Sequence, residues 1–76
     1  MKSEKVTLIT IETEFKTYEI ILEKIIGLTE IIRTVEPLGY QFDIIMYGGS
    51  NIEIFSTNSL KLVYSNLRCK IIELNK

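Results

Sequence analysis

Residues 13–35 read TEFKTYEIILEKIIGLTEIIRTV, and the conformation assigned to them decides the fold. Polar residues recur at Lys16, Glu19, Glu23, Gly27, Glu30 and Thr34. That spacing of three or four predicts one amphipathic helix over Thr13–Val35 with a single solvent-facing stripe. Thr13 is a suitable N-cap, and Glu12 and Glu14 sit where the helix dipole favours acids. Glu12 and Lys16 stand in the favourable i,i+4 order. Pro37 disfavours helix at Glu36 and Gly39 follows, so the helix is expected to stop near Val35. Gly27, which costs roughly 1 kcal/mol against Ala in mid-helix, marks a bend or a close approach by another backbone. A rival reading makes Glu14–Leu22 a strand and begins the helix at Glu23. The regular polar stripe favours one long helix.

On that helix Tyr18, Ile21, Ile25, Leu28, Ile32 and Val35 form the central apolar row. Ile20 and Ile31 extend it on one flank, and Phe15, Leu22 and Ile26 on the other. The apolar arc then covers about 240°, where packing on one surface needs about 100°. Soluble monomers rarely leave so much apolar surface open. The flank residues Phe15, Ile20, Leu22, Ile26 and Ile31 are therefore the expected protein-binding site, covered by a second copy of the chain or by a larger protein.

Around this segment the chain alternates at the strand period. Val6–Glu12, Tyr40–Tyr47, Ile52–Ser56 and Cys69–Leu74 read as strands, the first of them buried on both faces if central. Gly48-Gly49-Ser50-Asn51 reads as a tight turn, because its glycines supply positive φ. Leu60–Ser65 is ambiguous. Leu60, Leu62 and Tyr64 fit a strand, while Leu60, Val63, Tyr64 and Leu67 fit a short helix capped by Asn58. The strand reading gives a single α+β domain, one long helix on an antiparallel sheet in the order β-α-β-β-β-β. The helix reading gives βαββαβ, a ferredoxin-like order.

With 76 residues the chain is one domain, of a size at which a single core is marginal. Its apolar share of 46% argues against disorder, and its net charge of −1 gives no bulk attraction to nucleic acid. The single cysteine, Cys69, excludes an internal disulfide, and no run approaches the ~20 apolar residues of a membrane span. A reducing cytoplasm is the expected compartment, with no membrane partner.

Histidine is absent, which removes the commonest general base and metal ligand and rules out triads that need an imidazole. Cys69, beside Ile71 in an expected strand, reads as a buried structural thiol. Glu19 and Glu23 read as a solvated face, and Gly48-Gly49-Ser50 as a hairpin turn, since no helix follows to bind phosphate. Asp43 and Glu53 are expected to oppose each other across the hairpin. No catalytic residue, metal or cofactor is expected.

The expectation is a non-enzymatic protein-binding module, an inhibitor, adaptor or regulatory subunit that self-associates. The Ile-rich composition without Ala, His or Trp fits AT-rich coding, as in some low-GC bacteria and their phages, and a phage or mobile element is an expected source. The alternative is a single-strand nucleic-acid binder, with Tyr47 and Phe55 stacking bases and Lys61, Arg68 and Lys70 meeting phosphates. The near-neutral charge weighs against it.

Overall fold

A computed structural model describes residues 6–74. They form an antiparallel β-structure with one helix packed on it, an α+β fold. The strands are β1 (Leu8–Glu12), β2 (Thr17–Ile21), β3 (Ile25–Leu28), β4 (Ile32–Val35), β5 (Leu38–Met46) and β6 (Asn51–Ser56). The helix, α1 (Lys61–Leu74), comes last. Thr13–Val35 is thus not helical: it holds β2, a 3-10 turn at Leu22–Lys24, β3 and β4. The order β-α-β-β-β-β and the ferredoxin-like order both give way to a run of strands followed by a helix.

The reason lies in side-chain shape and in partners. Ile20-Ile21, Ile25-Ile26 and Ile31-Ile32 are β-branched pairs, which lose χ1 freedom in a helix and fit a pleated surface. The apparent three-to-four spacing comes from strand positions that alternate and are then reset at each break. Two such resets are a register shift between Ile25 and Gly27 and the gap between β3 and β4.

Strand β5 organises the larger sheet. Along one edge β6 pairs from Tyr40↔Ser56 to Ile45↔Asn51. Along the other, β4 takes the first half of β5 (Ile32↔Gln41 to Val35↔Leu38) and β3 the second (Leu28↔Ile44 to Ile25↔Met46). The break between β3 and β4 is bridged by Thr29. Its N–H donates to the Asp43 carbonyl at 3.0 Å, and its hydroxyl oxygen accepts the Asp43 N–H at 2.8 Å. A side chain thereby replaces one rung of the ladder. Val35 and Leu38 close the β4–β5 hairpin over Glu36-Pro37, a cis peptide.

Gly48 and Gly49 take φ of +95° and +84° in the β5–β6 turn, as their sequence suggested. β1 and β2 form a separate two-stranded hairpin, from Leu8↔Ile21 to Glu12↔Thr17. β1 is buried on one face only: Ile9 and Ile11 point inward, and Leu8, Thr10 and Glu12 outward.

The core draws on every layer. Ile9, Ile11, Ile20, Leu22 and Ile25 meet Phe42, Ile44 and Ile54 of the sheet and Leu60 and Leu67 of the helical segment. Burial of each such side chain contributes about 1.5–3 kcal/mol. Leu60, Val63, Tyr64, Leu67 and Ile71 recur at helical spacing and lay α1 on the sheet. Tyr64 meets Phe42 edge to face at 5.0 Å between ring centres. The Leu60–Ser65 strand and the Cys69–Leu74 strand are both replaced by this helix. Its first turn is fixed by a Tyr64 N–H to Leu60 carbonyl bond of 2.8 Å. The Ser59 hydroxyl, rather than Asn58, accepts the Lys61 N–H. Cys69 falls on the outward side of α1 and is exposed, not a buried thiol.

Two glycines give opposite expectations. A Cβ on Gly39 would lie 2.6 Å from the Ser56 carbonyl oxygen and 2.8 Å from the Phe55 ring. A Cβ on Gly27 would meet nothing within 4 Å, so the side-chain position beside its strand partner Ile45 is open. Chemical denaturation should show Gly39→Ala destabilised by about 1–3 kcal/mol through overpacking. Gly27→Ala should be neutral or stabilised by up to about 1 kcal/mol, because it lowers unfolded-chain entropy.

Candidate functional site

The expected helix flank is dispersed by the fold. Ile20, 2% exposed, and Leu22 are core residues. Ile31 is half-buried against the core. Ile26 stands out at the register shift in β3. Phe15 sits at the tip of the β1–β2 hairpin, with its ring 5.6 Å from that of Phe55. The expected central row is split: Ile25 is buried and Tyr18 and Leu28 pack against the core, whereas Ile32 and Val35 are 54% and 83% exposed. A helical wheel sorts residues by 100° steps, whereas these residues were sorted by alternation on three short strands.

The aromatic-basic constellation also separates. Tyr47 is exposed in the β5–β6 turn. Phe55 lies under Phe15 on the sheet face opposite the one that α1 covers. Lys61, Arg68 and Lys70 are exposed on α1. No single surface joins the two aromatic rings to the three cations. Asp43 and Glu53 do oppose each other in the β5–β6 register. The buried Oδ1 of Asp43 has no hydrogen-bond partner among the described residues.

What the fold brings together instead is two surfaces and a clasp. The first surface is the tip of the β4–β5 hairpin. Val35 and the 66% exposed Leu38 are opposed across its last rung, with Ile32 on the same hairpin. Below them Ile31, Arg33, Tyr40, Leu60 and Lys61 line a groove between β4 and the start of α1. The second surface is a cleft of about 190 Å³ between β1 and α1. Ile9, Thr10, Ile11 and Glu12 form one wall, and Val63, Asn66, Leu67 and Lys70 the other.

The clasp is Glu14, at the β1–β2 tip. Its Oε1 accepts the Ser56 hydroxyl at 2.6 Å. Its Oε2 accepts the Thr57 N–H at 2.8 Å and the Thr57 hydroxyl. The hairpin tip is thereby tied to the chain between β6 and α1. At the hairpin's other end, the Thr7 N–H and hydroxyl each donate to one Glu23 oxygen at 2.7 Å. The Ser56 hydroxyl first, and then Thr57, hold the Glu14 carboxyl down at about 2, against 4.5 for an ordinary glutamate.

The sequence conceals these positions because Pro37 serves equally as a helix stop and as the turn between Val35 and Leu38. The helical spacing Leu60, Val63, Tyr64, Leu67 was the available signal for the second cleft wall. No group of three or more potential metal ligands occurs among the described residues, and no helix among them is long and apolar enough to cross a membrane. No protein-family model, curated protein or solved structure matches the chain.

A carboxyl whose folded value lies below its unfolded value stabilises the fold fully above the unfolded value and loses that contribution as pH falls. Glu14→Gln should therefore lower the thermal midpoint at neutral pH. The gap to the parent chain should shrink between pH 4.5 and about 2. A gap that stayed constant through this window would show that Glu14 is not the ionised acceptor.

Proposed function

We propose that the chain is a small non-enzymatic protein-interaction module that self-associates or docks on a larger protein through the tip of its β4–β5 hairpin. The carrying observation is the exposure of Val35 and Leu38, which are paired across the last rung of the hairpin. Each such side chain contributes about 1.5–3 kcal/mol when buried. In this reading the binding residues move from the flank set Phe15, Ile20, Leu22, Ile26 and Ile31 to the hairpin. The absence of His and the lone exposed thiol of Cys69 fit an adaptor, inhibitor or regulatory subunit working in a reducing cytoplasm.

Light scattering on the purified chain at micromolar concentration should report a dimer or larger species. The double variant Val35→Glu, Leu38→Glu should run as a monomer with unchanged circular dichroism, because both side chains already face solvent. A parent chain that is monomeric throughout that range would overturn self-association. A double variant that remains oligomeric would move the interface elsewhere.

A further inference from the structure

We propose that the cleft between β1 and α1 receives an extended peptide, which adds to β1 as an antiparallel strand. The inference rests on the chain being a protein-interaction module, and it names a second surface and its ligand.

The hydrogen-bond register shows which backbone groups are free. Leu22 N–H donates to the Thr7 carbonyl at 2.8 Å, and Thr13 N–H to the Lys16 carbonyl at 3.0 Å. These bonds mark the two ends of the β1–β2 ladder. In an antiparallel pair the bonding residues alternate. Thr7, Ile9, Ile11 and Thr13 therefore bond toward β2, while Leu8, Thr10 and Glu12 turn their N–H and C=O groups to the opposite edge. Among the described residues β1 pairs with no strand besides β2, and no backbone bond from these three residues reaches another described element. Such a row of free donors and acceptors is a template for one more strand.

The cleft lies along that edge. Four consecutive residues, two inward-facing and two outward-facing, line it, which only a groove beside the strand edge can satisfy. Its far wall is one stripe of α1, with Val63 and Leu67 apolar and Lys70 charged. A second folded copy pairing β1 to β1 would bring its own packed layer into the space that α1 occupies, so a lone extended segment is the better occupant.

Chemistry sets the segment's pattern. Lys70 also lines the neighbouring groove with Thr7 and Leu74, so α1 runs antiparallel to β1 and Lys70 lies toward the start of the strand. Along an antiparallel ligand, the residue opposite Ile11 faces Val63 and Leu67 and should be apolar. The residue opposite Ile9, two positions later, lies toward Lys70 and should be acidic. The residue opposite Glu12, just before the apolar one, should be basic. The motif is basic–apolar–any–acidic.

The test uses a fluorescein-labelled octapeptide of alternating Thr and Val carrying that motif, titrated by fluorescence polarisation against the full chain. Saturable binding is expected. N-methylation of the ligand backbone at alternate residues should weaken it at least tenfold in one phase of the alternation and little in the other. Thr10→Pro deletes a free-edge donor without touching the β1–β2 ladder, a position where proline is tolerated, and should weaken binding at least tenfold. Lys70→Glu, at an exposed helix position, should reverse the preference between acidic and basic ligand variants, which keeps the test decisive if Thr10→Pro unfolds.

Absence of saturable binding would overturn the proposal. So would binding indifferent to N-methylation and to Lys70→Glu. Self-association at the hairpin tip is read separately: a monomeric chain that binds the peptide removes that interface and leaves this one.

Discussion

Strand β5 is the constraint on which the rest of the structure depends. It gives hydrogen bonds to three strands, β6 on one edge and β4 and β3 in succession on the other. Its inward residues Phe42 and Ile44 are fully covered. The other elements are positioned by it. β3 and β4 share one edge of β5, and Thr29 closes the rung between them with its side chain. α1 settles on the same face through the Phe42–Tyr64 contact. A helix of this kind has little stability alone, so the apolar stripe from Leu60 to Ile71 and the sheet face stabilise each other.

The β1–β2 hairpin stands outside that sheet. Two strands alone are marginal in water, and this pair is held by three attachments. Ile9, Ile11 and Ile20 enter the common core, Glu23 grips Thr7 at the hairpin's base, and Glu14 grips Ser56 and Thr57 at its tip. Both carboxylates accept backbone and hydroxyl hydrogen bonds at these contacts. The hairpin is thus anchored by its ends and its inner face, which leaves the β1 edge open beside α1. Openness at an edge and anchorage at the ends are the requirements of a peptide slot that does not unfold when empty.

The fold class and much of the C-terminal half were legible in the sequence. β1, β5, β6 and the Gly48-Gly49 turn follow from strict alternation and from the need for positive φ. The helix was misplaced for an identifiable reason. In Thr13–Val35, short strands interrupted by a 3-10 turn and a register shift imitate a 3.6-residue period. The opposite error befell Leu60–Leu74, where Val63, Tyr64, Cys69, Ile71 and Ile72 suggest strand although the core contacts at Leu60, Val63, Tyr64, Leu67 and Ile71 keep helical spacing. Both errors carry over to the site. By helical period Ile20 and Leu22 fall on an open flank, yet both are core; Val35 falls in a core row, yet it is 83% exposed.

The sequence by itself determined that this chain takes an α+β fold. Its apolar content, alternating segments and turn glycines leave few other ways to bury so much isoleucine. It also determined the poverty of catalytic side chains, since histidine is absent and only one cysteine is present. Tertiary structure decided which segment is the helix, and with it which apolar residues face solvent. The physical reason is that β-branched isoleucine carries a modest local preference, about 1 kcal/mol or less per residue. Pairing across β5 and burial against α1 outweigh that preference, and neither is encoded within the short window over which a sequence period is read.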